Sequence, residues 1–419
     1  MYAKVLPVFF SLALILVSGA TPAQTKGKGS SAAQSVPDTR PPNFPSLFQN
    51  PTRNNGYEEW VLAADLVQNN TEIDAATQSD ATLTLKRHIL ADPAAAQALS
   101  LLRDGLQKPV VSPRDDFNET VVLPELTTFR KLGRLLCTAQ YVHFADGRVE
   151  AAIDDLRTGL AFGYRIQTDN LISGVVGLAV ESNVLVEFSR HFDQLSVAQC
   201  AEALRIVQDF LNAESPAIHL LSLEKGYAFK MLETRRADPR ALRTLLGIID
   251  LQKHPEESAN VQSVQNLLTA HPQDLNTILN AAQARIDAVY DQALLNLSLP
   301  AAQRTPFVKD KADTPDAALC RLFAVNPDRV LDRYTENQAK LRLLGLHLLI
   351  HRYRWEHNMF PNALTDLHAE DLAQDPFTGD PIRYRREGTH YLLVSQGPFK
   401  RDDVGEKMSE ARNPVQLIP

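Results

Sequence analysis

Cysteine is scarce in this chain. The 419 residues contain 3, at Cys137, Cys200 and Cys320. So few thiols, so far apart, exclude a disulfide framework and a cysteine metal knuckle. Each lies in an apolar helical context and reads as a small buried hydrophobe, with one bridged pair left open for an oxidising compartment. A long basic block is also missing: 43 Lys and Arg stand against 50 Asp and Glu, a formal net charge of −7. A dedicated nucleic-acid binder would carry a basic stripe, so that class is set aside. No Gly-x-Ser-x-Gly elbow, phosphate-cradling loop or dinucleotide fingerprint occurs, which removes the catalytic classes that short motifs announce.

The remaining fragments of catalytic pattern have simpler readings. His347 and His351 are four apart on one helical face, the spacing that offers two imidazoles to zinc. Leu348, Leu349 and Ile350 occupy the places between them, where a metalloprotease helix needs its Glu, so both histidines read as hydrogen-bonded core residues. Ser222-Leu223-Glu224-Lys225 has the Ser-x-x-Lys spacing of penicillin-binding enzymes without their Lys-Thr-Gly strand, and reads as helix. The carboxylate pairs Asp115-Asp116, Asp154-Asp155 and Glu256-Glu257 read as solvated surface. No catalytic, cofactor-binding or metal-binding residue is assigned.

The N-terminus indicates where the chain goes. Within residues 1–20, Lys4 precedes the apolar run Val5 to Val17 and the small residues Ser18-Gly19-Ala20, the layout of a cleavable signal peptide. Thirteen residues rise about 20 Å as a helix against a bilayer core of roughly 30 Å, too short for a stable span. Residues 21–54 are rich in Pro, Gly and Ser, a composition that buries too little apolar surface to offset its ordering entropy; it reads as a disordered tether.

Residues 55–333 read as a helical body, since apolar residues recur at three and four rather than two. Leu126, Phe129, Leu132, Leu136, Tyr141 and Phe144 share one face, Asp146-Gly147 breaks the pattern, and Val149, Ala152, Ile153, Leu156, Leu160 and Tyr164 form a second face. The spacing predicts an antiparallel hairpin. With Gly147 at the turn, Ala152 at the close approach and Leu160 near the end, it resembles a tetratricopeptide unit, which neighbouring segments do not repeat at a fixed period. Leu171 to Phe188 is the most apolar internal stretch; Glu181 inside it argues for a buried soluble helix packed at Gly174 and Gly177. Helices are expected at Val197–Asn212, Ser215–Arg235, Pro239–Gln252, Val261–Ala270 and Pro272–Leu297, and a surface connection from about Ser298 to Thr314.

Residues 334–406 predict a small α+β module, and 407–419 a flexible tail. The helix Tyr334 to His357 is apolar on every side through Leu341, Leu343, Leu344, Leu346, Leu348, Leu349 and Ile350, so it is expected to be buried on every side, between the helical body and a small sheet. Strands at Ile382–Arg386 and His390–Ser395 form a hairpin. The succession of this helix, Asn358-Met359-Phe360-Pro361, Asp375-Pro376-Phe377-Thr378-Gly379-Asp380-Pro381 and Ser395-Gln396-Gly397 resembles the C-terminal domain of the major pseudopilin of type II secretion systems. That resemblance implies a helix over an antiparallel sheet and a calcium loop after the last strand. Here Lys400 and Arg401 precede Asp402 and Asp403, opposing a cation that needs about six to eight oxygens, so these read as a solvated acidic turn. The polymerising N-terminal helix of that family has no counterpart, and filament assembly is not implied. Arg352, Arg354, Arg383, Arg385 and Arg386 are expected to pair with Glu356, Asp366, Glu370 and Asp371 rather than form a positive patch.

The fold class is therefore mainly α, a helical-hairpin body with a small C-terminal module of a long helix plus an antiparallel hairpin. The expected role is an exported, periplasmic or extracellular bacterial protein of the cell envelope, non-enzymatic, binding a protein partner or scaffolding assembly. The alternative is a hydrolase whose site is assembled from distant residues of the helical body. No cofactor, nucleic acid or stable membrane span is expected.

Overall fold

The computed structural model describes residues 52–417 apart from 114–123, 238–273, 309, 311, 313, 402–406 and 413. The expected signal peptide, almost all of the expected tether, the helices expected between Pro239 and Ala270, and Asp115-Asp116, Glu256-Glu257 and Asp402-Asp403 lie outside these residues. What is described is mainly α with a small α+β part.

The first helices are α1 (Gly56–Val67), α2 (Thr71–Ala76), α3 (Leu83–Ala91) and α4 (Pro93–Leu106). Asn55, Asn70, Thr82 and Asp92 cap them, each accepting from a backbone N–H of the first turn, and Pro93 occupies a first-turn position where its missing N–H costs nothing. Their core is aromatic. Trp60 meets Phe162 edge to face at 4.9 Å and donates its indole N–H to the Leu102 carbonyl at 3.1 Å. The predicted hairpin follows as α5 (Pro124–Ala145) and α6 (Val149–Arg165). Gly147 turns between them at φ +72°, a left-handed conformation that disfavours a Cβ.

α7 (Leu171–Ser189) packs against both α5 and α6. It is long and apolar enough to cross a membrane, yet 67% of its apolar window is buried in this fold. Helices approach closely there: a Cβ on Gly177 would overlap the Gly163 carbonyl oxygen and the Gln167 side chain. Because backbone cannot yield as a side-chain tip can, Gly177→Ala is expected to destabilise the protein by about 3 kcal/mol, read from urea unfolding. A loss below about 0.5 kcal/mol, the range of a neutral surface change, would show that α6 and α7 can separate freely.

α8 (Val197–Leu211) starts at a capping box in which Ser196 and Gln199 satisfy each other's backbone, as the Ser196 start signal predicts. α9 (Pro216–Ala237), α10 (Leu275–Leu297) and α11 (Pro315–Phe323) share a separate cluster around Leu220, Ile286, Tyr290 and Leu319.

The next helix, α12 (Asp328–His357), begins six residues earlier than expected. Its added turns carry Val330 and Leu331, which pack with Tyr334 into the α9–α11 cluster, while Ala339 to Ile350 belong to the cluster of α6, α7, α8 and the C-terminal sheet. Beyond α13 (Glu370–Ala373), β1 (Arg383–Glu387) and β2 (His390–Val394) pair antiparallel, Arg385 opposite Leu392. Two expectations fail here. The supposed flexible tail instead pairs β4 (Lys407–Arg412) with β3 (Phe399–Arg401), exchanges two 3.1 Å hydrogen bonds between Val415 and Ser395, and buries Val415 and Leu417. Alternate residues Val415 and Leu417 give this extended segment one apolar face, which the core covers. The supposed surface connection buries Ala301 and donates backbone N–H groups from Ala301 and Ala302 to the Pro376 and Phe377 carbonyls.

Candidate functional site

A cleft of about 790 Å³ opens where three helical junctions meet. The end of α4 supplies Lys108 and Val110, the end of α6 supplies Tyr164, Arg165, Gln167 and Thr168, and the α8–α9 junction supplies Glu214, Ile218 and His219. Side chains at the end of α6 fix the other two. The Tyr164 hydroxyl donates to the Glu214 carbonyl at 2.9 Å, and Arg165 Nη1 donates to the Leu106 carbonyl at 2.7 Å. The rim is mixed: Ile218 is 41% exposed beside His219 and Lys108, whose ammonium pairs with buried Glu59. Thr168 Oγ1 is shielded from solvent at the base without a hydrogen-bond partner.

Beneath the cleft lies a buried polar chain. Gln167 reaches the cleft and also donates through Nε2 to Glu181 Oε1 at 2.7 Å and to the Gly163 carbonyl at 3.0 Å. Its Oε1 accepts from the Tyr334 hydroxyl at 2.5 Å, which sets the direction of the amide. Asn337 of α12 donates to the other Glu181 oxygen. Burial raises the Glu181 carboxyl to about 8, with the Asn337 and Gln167 hydrogen bonds opposing. A proton on Glu181 also resolves an oddity: Asn337 Oδ1 is buried without a partner, and turning that amide over would let the acid donate to it. The chain thus ties α7 to α12 directly under the cleft floor.

The residues singled out in the sequence do not converge. His347 is buried; its Nδ1 lies 2.6 Å from the Tyr391 hydroxyl, and its ring stacks on Phe192 at 5.1 Å. Burial, together with neighbouring His351, lowers its imidazole to about 3, so it is a neutral core residue. His351 packs on the same Phe192 ring. Among the described residues no cluster of His, Cys, Asp or Glu could hold a metal ion. The thiols of Cys137, Cys200 and Cys320 are free, and burial raises all three, the last two to about 11, which suppresses thiolate chemistry. Ser222 donates to the Ile218 carbonyl while Lys225 turns to Asp287 and Asp291, so the Ser-x-x-Lys match has no shared site.

One carboxylate departs from the solvated surface expected of it. Asp155 is fully buried rather than solvated, held by Arg103 at 2.7 Å and by His143 Nδ1 at 2.6 Å. Its helical position, one turn before the close-packed Gly159, was the available signal, but its partners come from α4 and α5. Helical periodicity marks Tyr164 only as a face residue, and no repeat marks the polar run Gln167 to Asn170 after α6, although Asn170 caps α7.

No protein-family model matches the chain, and no curated protein or solved structure matches it.

Proposed function

We propose that the chain is an exported, non-enzymatic protein-binding protein of the bacterial envelope, and that the cleft between α4, α6 and the α8–α9 junction receives a polypeptide segment of its partner. The carrying observation is the cleft's construction. Its walls are rigid helix ends cross-tied by Tyr164 and Arg165, and its lining mixes apolar Ile218 and Val110 with donors and acceptors, the character of a recognition surface. The pseudopilin-like reading of the C-terminal module is supported by the packing of α12 on the β1–β2 hairpin and by the contact of its two sequence elements, Asp375 with Ser395. The hydrolase alternative would draw on His143 and Asp155. That pair is tied to Arg103 as a three-helix link, and neither residue lines the cleft.

The test is site-specific photocrosslinking in the producing cell. A photoreactive residue at Ile218 is expected to trap a discrete partner, and one at exposed Arg205 on α8 to trap none. Identical adducts from both positions, or none from Ile218, would remove the cleft from the function.

A further inference from the structure

The last turn of α12 leaves large apolar side chains in solvent. Trp355 is 63% exposed and Met359, just past the helix, 44%. Two guanidinium groups meet at the neighbouring Phe360. Arg354 lies 4.9 Å above its ring, and Arg386, from β1, donates to its carbonyl at 3.3 Å and to Asn362 Oδ1 at 3.1 Å. Among the described residues neither has a carboxylate partner. Two of the expected acidic partners are used otherwise: the Asp366 carboxylate accepts from the Asn362 and Ala363 N–H groups, and Glu356 pairs with Arg352. Of the five arginines, Arg352 pairs with Glu356 and Arg385 with Glu387.

We propose that this end of α12 is a second docking face, which takes an acidic segment of a partner protein, with Trp355 and Met359 as apolar anchors and Arg354 and Arg386 as carboxylate receivers. Exposed Trp and Arg side by side are the residue types that carry most interface energy, and guanidinium binds carboxylate through two parallel hydrogen bonds. Both arginines are already ordered, Arg354 by the Phe360 ring and Arg386 by two acceptors, so less entropy is lost on binding. Charge complementarity favours an acidic occupant: Arg354 and Arg386 present two guanidinium groups that no carboxylate of the described residues neutralises. A flat anionic bilayer fits less well, because Glu356, beside Trp355, would be pressed toward lipid phosphates, whereas a narrow acidic segment avoids it. The inference stands apart from the cleft, which α12 does not line.

Trp355 is its own reporter, since the other tryptophan, Trp60, is fully buried. Titration of the mature chain with poly-L-glutamate is expected to shift its emission to the blue, and poly-L-lysine to leave it unchanged. Trp355→Phe should abolish the signal. Arg354→Gln, alone and with Arg386→Gln, should weaken apparent affinity about tenfold for the double change, while Arg205→Gln leaves it unaltered. Because Arg354 lies over a ring and makes no ion pair among the described residues, its single variant keeps the test valid if the double variant misfolds. In cells, a photoreactive residue at Met359 should crosslink to peptides rich in Asp and Glu. Equal responses to both polymers, no response, a response indifferent to Arg354→Gln, or one given by phosphatidylglycerol vesicles but not by poly-L-glutamate would overturn the proposal. Ile218→Glu should leave this titration unchanged, which separates failure here from failure at the cleft.

Discussion

Asp375→Ala is expected to lower the unfolding free energy by about 4 kcal/mol and to loosen the C-terminal module before the helical body. Asp375 is fully buried, and its two carboxylate oxygens accept three hydrogen bonds: from the Phe377 N–H at 2.9 Å, the Ser395 hydroxyl at 3.0 Å and the Gln396 N–H at 2.6 Å. Removal leaves three buried or half-buried donors without an acceptor, in a loop that also receives Ala301 and Ala302. Asp375→Asn should cost about half as much, because one oxygen remains while the amide NH₂ faces a donor. Urea unfolding gives the global loss, and amide exchange at Phe377 and Gln396 locates it. A loss under 1 kcal/mol, or exchange that rises evenly over the molecule, would mean that the loop is held by packing alone.

Glu181→Gln is expected to be neutral at low pH and stabilising at high pH. The folded protein raises this carboxyl from 4.5 to about 8, whereas the unfolded chain releases the proton near 4.5. The unfolded state therefore binds fewer protons between those values. Stability from this group is complete below about pH 4.5 and declines as pH rises through 8, by a total of roughly 5 kcal/mol. A glutamine cannot ionise, so the variant should match the wild type near pH 5 and exceed it at pH 9. The acid arm should persist in both proteins, because His347 works in the opposite direction. Its imidazole is lowered to about 3, so its contribution is present above pH 6.5 and is lost as pH falls toward 3. Parallel stability profiles for wild type and Glu181→Gln across pH 5 to 9 would refute the assignment.

The Glu181 chain also marks the limit of what a linear pattern discloses. Periodicity identified α5, α6 and α7 and the faces they bury, because a helix repeats every 3.6 residues and each face is written locally. Glu181 could be recognised as a costly charge inside an apolar helix. Its partner Asn337 could not, nor could Tyr334, which holds the linking Gln167, since both lie more than 150 residues away on α12. Asp155 failed for the same reason: exposure was inferred from its acidic neighbour Asp154, while Arg103 and His143 arrive from other helices. The cleft is harder still. Its walls come from three separate junctions, and junction residues follow no repeat, so neither Tyr164 nor Gln167 carried a mark of its role.

By itself, then, the sequence determined the mainly helical class, the hairpin around Gly147, the start of α8 at Ser196, the helical placement of all three cysteines and the apolar-all-round character of α12. These depend on contacts within a turn or two of chain. Only the tertiary structure decided that α12 joins two clusters, that Val415 and Leu417 close the core instead of trailing from it, that Asp375 grips Ser395 and Gln396, and that Arg354 and Arg386 meet at Phe360 without an acid. Each of these unites residues from separate elements, and the free energy of such a contact is set by burial and by which partner arrives, neither of which local spacing encodes.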